Sequence, residues 1–219
     1  MARAVLISIR PEWVNKIVTG EKTVEIRKNR PNLETPFKVY IYCTDGFGKN
    51  TVNIPITQER LWKHYAETGS MECLNCPIGN QKVIGEFVCD EILKIDKRGL
   101  VEQNFDYCYA SLREWGNDDI AIYIKAVRKS CVPREQLNQY GENVHFLYLW
   151  KISKLKIYET PKELTEFHTW KKCKSCSKSG YESTACAYDE NCMVPAVITK
   201  APQSWCYVEE LNNGLLLTP

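Results

Sequence analysis

The hydrophobic period changes twice within residues 4–28, which sets a strand, a short helix and a second strand before any other part of the chain is considered. Ala4-Val5-Leu6-Ile7-Ser8-Ile9 is a short apolar run rich in β-branched residues and reads as a buried strand. Pro11 sits where the first helical position tolerates a missing N–H. Trp13, Val14, Ile17 and Val18 then recur at helical spacing until Gly20 ends the turn. From Lys22 to Lys28 the pattern alternates, with Val24 and Ile26 on one face and Thr23, Glu25 and Arg27 on the other. The expectation is a half-buried strand with a charged outer face. Glu25 and Arg27 pair side by side on that face, and the Gly20 turn delivers Lys22 and Thr23 to the same surface. In an arbitrary sequence such a face is solvated and carries a weak surface ion pair.

Further strands are expected over Phe37–Cys43, Val83–Cys89, Ile92–Ile95 and His145–Tyr158, with a short helix over Pro133–Tyr140 closed by Gly141. Residues 46–82 read as an irregular insertion, punctuated by Gly and Pro, in which Gln58–Thr68 has helical spacing. Residues 105–128 stay open between helix and strand, because Tyr107–Trp115 has helical spacing while Ile120, Ile122 and Ile124 alternate. Lys171–Cys192 breaks every period and is polar, basic and Cys-rich. At 219 residues this is the size of one domain carrying two insertions, about 46–82 and 171–193.

Lys and Arg total 29 against 27 Asp and Glu, so the net charge of +2 gives no global attraction to polyanions and any nucleic-acid site must be local. No run reaches the roughly 18 apolar residues that cross a bilayer. The N-terminal apolar run meets Arg10 too early for a signal peptide, so the expected location is the cytoplasm. Eleven Cys are many for a reducing compartment, and their odd number argues against a complete disulfide framework.

Gly20-Glu21-Lys22-Thr23-Val24-Glu25-Ile26-Arg27 resembles the G-x-K-x-x-E-x-R signature of ASCH domains, a branch of the PUA-like superfamily, with Gly20, Lys22, Glu25 and Arg27 at its fixed positions. Phe37–Thr44, Val83–Phe87, Trp150–Tyr158 and Pro202–Val208 also resemble phage and prophage members in family order, while 46–82 and 171–192 are not covered. The resemblance implies an α+β fold, a PUA-like mixed β-barrel plugged at one end by the Pro11 helix. It also implies a cleft lined by Lys22, Thr23, Glu25, Arg27 and the nearby Arg10, suited to RNA, a nucleobase edge or a modified nucleotide. Some relatives are acetylcytidine amidohydrolases that use a Lys and a Thr on this strand. Lys22 matches their Lys, but Glu25 stands in place of their Thr and Thr23 lies two residues too early, so that activity is not carried over. The alternative to a binding protein is a hydrolase of a modified nucleoside, or a ribonuclease, with Lys22 and Glu25 as catalytic candidates. A third reading is a phage-encoded regulator of a host protein.

Cys173-x2-Cys176-x9-Cys186-x5-Cys192 lies in a segment with too little apolar surface to order itself, and its thiolates are candidate ligands for one structural zinc. Cys73-x2-Cys76 is a competing or cooperating pair, and His168 is a further candidate ligand. Cys43, Cys89, Cys108, Cys131 and Cys206 sit among apolar residues as expected core filler. Basic residues interleave with aromatics at Trp170-Lys171-Lys172-Cys173-Lys174, with Lys178 and Tyr181, and at Lys38 beside Tyr40 and Tyr42. This is the mixture that single-strand binding uses, and it is equally a solvated lysine-rich surface.

Overall fold

The structure, a computed structural model, describes residues 3–44, 66, 80–96, 127–172 and 193–211. In chain order these form β1 (Arg3–Ile9), α1 (Pro11–Val18), β2 (Val24–Arg27), β3 (Phe37–Cys43), β4 (Val83–Cys89), β5 (Ile92–Asp96) and α2 (Arg134–Gly141). There follow β6 (Phe146–Lys151), β7 (Ser153–Lys162), a 3-10 turn (Leu164–Glu166), β8 (His168–Lys172), β9 (Met193–Val197) and β10 (Trp205–Glu209).

A five-stranded sheet runs β10-β1-β3-β4-β7. Its one parallel pair is β1 and β3, which requires a crossover, and α1 and β2 lie within that connection. Both faces of this sheet are covered, which explains why β1 is apolar without alternation. On one face Val5, Ile7 and Ile9 pack with Val39, Ile41, Phe87, Trp150 and the α1 residues Val14 and Ile17. On the other, Ala4 and Leu6 pack with Tyr40, Tyr42, Val83, Phe167, Ile198 and Val208.

A three-stranded antiparallel sheet runs β2-β6-β5. Val24, Ile26, Leu147 and Leu149 bury its far side together with Leu137 of α2. The two sheets meet at Ile152, where the expected His145–Tyr158 strand divides. Lys151 still pairs with Val24, the Ile152 N–H donates to the Thr23 carbonyl at 2.9 Å, and Ser153 pairs with Val88 of the other sheet. A strand that serves two sheets must bend, and period-two alternation carries no mark of where it bends. Among the described residues the sheets do not close into the expected barrel; the fold is mostly β, with a mixed sheet and a few short helices.

The third sheet, β8-β9, corrects the boundary drawn for the Cys-rich segment: Lys171 and Lys172 belong to β8, and the ladder ends at the pair Lys172 and Met193. Most of the expected 46–82 insertion lies outside the described residues; of its Gln58–Thr68 helix only Ala66 is described, and that residue is helical. The open 105–128 stretch is described only at 127–128, which are helical. No helix among the described residues is long and apolar enough to cross a membrane.

Candidate functional site

Gly20 takes a positive φ of 78°, a backbone conformation that side chains disfavour, and the turn it makes returns the chain so that the Lys22 N–H donates to the Lys16 carbonyl at 2.8 Å. This carries the Lys22 side chain inward. Its Nζ donates to the carbonyls of Val24 at 2.8 Å and Ser130 at 2.7 Å, lies 3.2 Å from Glu25 Oε2, and sits 5.5 Å from the centre of a Trp13 ring. Glu25 Oε1 accepts from Arg27 Nη2 at 3.0 Å. The same Nη2 donates to the Ser8 carbonyl at 2.7 Å, and Nη1 reaches the Ser204 hydroxyl at 3.3 Å. The cluster thus fastens β2 to β1 and to the segment before β10.

Lys22 is 2% exposed, and Glu25 and Arg27 are each 7% exposed. The expected charged outer face is therefore an interior one, because α2 covers the Val24 and Ile26 side while Trp150 and the main core lie on the other. Burying such charges is tolerable only when they are paired and hydrogen-bonded, and here each has partners.

The partnering is incomplete in one informative respect. Arg27 Nε, Trp150 Nε1 and the Thr23 hydroxyl are buried with no hydrogen-bond partner among the described residues. Glu25 stands opposite Trp150 in the β2-β6 ladder and Arg27 opposite Tyr148, and directly opposed residues in an antiparallel pair share a face. Trp150 is fully buried, edge-on to Phe37 at 5.8 Å. It was readable in the sequence only as a strand residue, since its position facing Glu25 depends on a long-range register.

Tyr140 of α2 forms the rim. It is 38% exposed and carries Lys28 Nζ 5.0 Å from its ring centre. Burial raises its phenol, against a smaller downward pull from the Arg27 charge and an upward one from Glu25, so its hydroxyl lies within electrostatic reach of the cluster. Sequence reading missed Tyr140 as well. Arg10 is exposed at the start of α1, where its carbonyl accepts the Trp13 and Val14 N–H groups; no contact among the described residues brings its side chain to the cluster.

Chemically, all three Lys22 N–H directions are occupied, so this side chain is an internal fastening in the state described. Two cations and one carboxylate leave one net positive charge. The capacity that remains consists of three donors, namely guanidinium, indole and hydroxyl, beside the unused lone pairs of Glu25. That set suits a group presenting a hydrogen-bond acceptor next to a donor, as a nucleobase edge does.

A family model for the ASCH domain matches residues 7–195. The chain belongs to the ASCH domain family. That family is generally linked to RNA binding, and the matched residues include Lys22, Glu25, Arg27 and Trp150. Among solved structures the chain is similar to an ASCH protein from Zymomonas mobilis, with 15% identity over 94% of this chain and 88% of that chain and a TM-score of 0.48. Two substituted forms of that protein also match. One shows 16% identity over 94% and 89% of the two chains with a TM-score of 0.47, the other 17% over 74% and 76% with a TM-score of 0.41. No curated protein matches by sequence. The expected phage or prophage type finds no support in these comparisons.

Cys73, Cys76, Cys173, Cys176, Cys186, Cys192 and Cys108 lie outside the described residues. Within the described residues no three His, Cys, Asp or Glu side chains converge as a metal site, and His168 is paired in β8 with Val197. Cys43 and Cys89 are buried core filler as expected, and burial pushes the Cys89 thiol up to about 12. Cys131 and Cys206 are only partly buried. Tyr40 and Tyr42 are interior residues, with Tyr40 packed on Phe167 at 4.9 Å, so the expectation that they stack on bases beside Lys38 is corrected.

Proposed function

We propose that the chain binds RNA or a modified nucleotide through the β2 cluster, with Glu25, Arg27, Thr23 and Trp150 reading a base edge and Tyr140 at the rim. The observation that carries this reading is the set of three buried donors without partners among the described residues, Arg27 Nε, Trp150 Nε1 and the Thr23 hydroxyl, on or just before the strand pair that holds the family signature. A buried donor left unmade costs roughly 1–3 kcal/mol, and a ligand acceptor removes that cost. Lys22 supports the cleft from within. The hydrolase reading asks more of Lys22, whose three N–H groups are engaged already.

The test is a thermal-shift screen of modified nucleosides and short oligoribonucleotides against wild type and Trp150→Phe, which removes the indole donor and keeps an aromatic ring. The expected result is a ligand-dependent rise in Tm for wild type that shrinks in the variant. A wild-type Tm unmoved by every nucleoside and RNA would overturn the proposal.

We propose as well that Cys173, Cys176, Cys186 and Cys192 hold one structural zinc. Their spacing supports this, and so does the β8-β9 ladder, which fixes the adjoining residues Lys172 and Met193 opposite each other. Elemental analysis of protein prepared without chelator is expected to find one zinc per chain, and Cys176→Ser to lose it. Protein prepared without chelator and found to contain no zinc would refute it.

A further inference from the structure

The face of the β2-β6-β5 sheet that carries the charge cluster opens to solvent along β6. Directly opposed residues of an antiparallel pair share a face, so the ladders lay two rows across the three strands. Glu25, Trp150 and Ile92 form one row, and Arg27, Tyr148 and Lys94 the next. Phe146, two residues before Tyr148, continues the same face about 6.8 Å further along the strand. Exposure rises in that direction: Trp150 is fully buried, Tyr148 is half-buried and Phe146 is 36% exposed. Lys94 is itself exposed and holds its Nζ 3.7 Å from the centre of the Phe146 ring. An exposed aromatic ring with a cation on it thus lies on the face of the buried donors, at the end where that face meets water.

We infer that the ligand of the β2 cluster is one base of a single-stranded RNA, whose neighbouring nucleotide leaves along β6 with its base against Phe146 and its phosphate against Lys94. The inference rests on the β2 reading and assigns that site a polymer in place of a free nucleotide. Ring and charge together select the occupant, because a π face and a phosphate are what every nucleotide presents whatever its sequence. A lysine over a solvated ring is held weakly and is free to turn to a phosphate. Asp96, the last residue of β5, stands opposite Phe146 in the ladder, but the exposed Lys28, Arg30 and Lys94 outnumber it at this end of the sheet. Single-strandedness follows from depth. A base stacked and paired in a duplex cannot reach the buried Arg27 Nε and Trp150 Nε1.

The experiment titrates a fluorescein-labelled, mixed-sequence single-stranded RNA 12-mer with the full chain and reads anisotropy at several salt concentrations. The proteins are wild type, Phe146→Ala, Phe146→Tyr and Lys94→Gln, and the thermal shift given by nucleosides is measured on the same four. Phe146→Ala is expected to bind the 12-mer about tenfold more weakly and Phe146→Tyr to stay near wild type. Lys94→Gln is expected to flatten the log-log salt slope by about 0.7, one phosphate contact on a single strand. The nucleoside shift should be the same in all four, since none of these changes removes a buried donor. Variants that match wild type in 12-mer affinity and slope overturn the inference, and so does a duplex 12-mer bound as tightly as the single strand. Variants that lose the nucleoside shift along with the 12-mer would show that Phe146 and Lys94 only shape the cluster, which overturns it as well. A wild type shifted by nucleosides that binds no 12-mer overturns the inference and leaves the β2 reading standing, whereas one that binds neither overturns both.

Discussion

Two charge clusters in this molecule use the same kinds of residue at different depths. On β2, Lys22, Glu25 and Arg27 have side chains between 1% and 9% exposed. Across the middle of the five-stranded sheet, Lys38 of β3 lies 2.7 Å from Glu210 and 3.9 Å from Glu86 of β4, with side chains 21%, 33% and 12% exposed, and Tyr158 donates to Glu86 at 2.6 Å. Depth decides what each ion pair is worth. Water still solvates the second cluster, so losing one partner there exposes the other to solvent. In the first, the partner left behind is a stranded charge in a dry interior.

The largest effect is expected where that contrast is sharpest. Glu25→Ala strips the counter-charge from both Lys22 and Arg27 and should cost about 3–5 kcal/mol of stability, whereas Glu210→Ala should cost about 1 kcal/mol or less. Urea denaturation of the two variants side by side measures the gap, and equal costs would break the comparison. Next comes Arg27→Lys, which keeps the charge but cannot reach the Ser8 carbonyl, Glu25 and Ser204 together; a loss of about 2 kcal/mol is expected from the missing charge-assisted hydrogen bonds.

A smaller effect is expected at the half-buried cluster. Burial raises the Tyr158 phenol, and its hydrogen bond to Glu86 raises it further. An acid whose folded pKa lies above its unfolded value near 10 keeps its proton longer in the native state, so its contribution is complete below pH 10 and is lost as the pH climbs above that. Tyr158→Phe should cost about 1 kcal/mol at neutral pH and make the alkaline decline of Tm shallower than in wild type. An unchanged alkaline limb would show that Tyr158 ionises as freely folded as unfolded. The smallest effect belongs to the exposed pair of Lys162 and Glu166 four residues apart, at 3.1 Å, where Lys162→Ala should change stability by no more than about 0.5 kcal/mol.

Much of the fold was legible because local pattern decided it. Phe37–Cys43 and Val83–Cys89 are strands with the expected ends, and the helix from Pro11 to Val18 follows its apolar spacing. The candidate site was legible in composition and not in depth. Alternation tells which residues share a face of β2, but whether that face meets water depends on Trp150 and the core beyond it, on strands more than a hundred residues away in sequence. Trp150 and Tyr140 were missed for the same reason: only register and helix docking bring them to Glu25 and Arg27. The β8 and β9 strands were obscured because their apolar positions point outward, and an outward apolar alternation next to lysines looks like a loop.

The ladder pair of Lys172 with Met193 has an evolutionary consequence. It holds Lys172 and Met193, which flank residues 173–192, at one rung of the ribbon, so a change in the length of chain between them leaves both anchor points in place. Doubling a closed loop costs only about 0.6 kcal/mol in chain entropy. Relatives are therefore free to lengthen, shorten or exchange whatever hangs from this rung while the β2 cluster keeps its geometry, and a graft of a short turn between Lys172 and Met193 should leave the Tm of the remaining fold almost where it was.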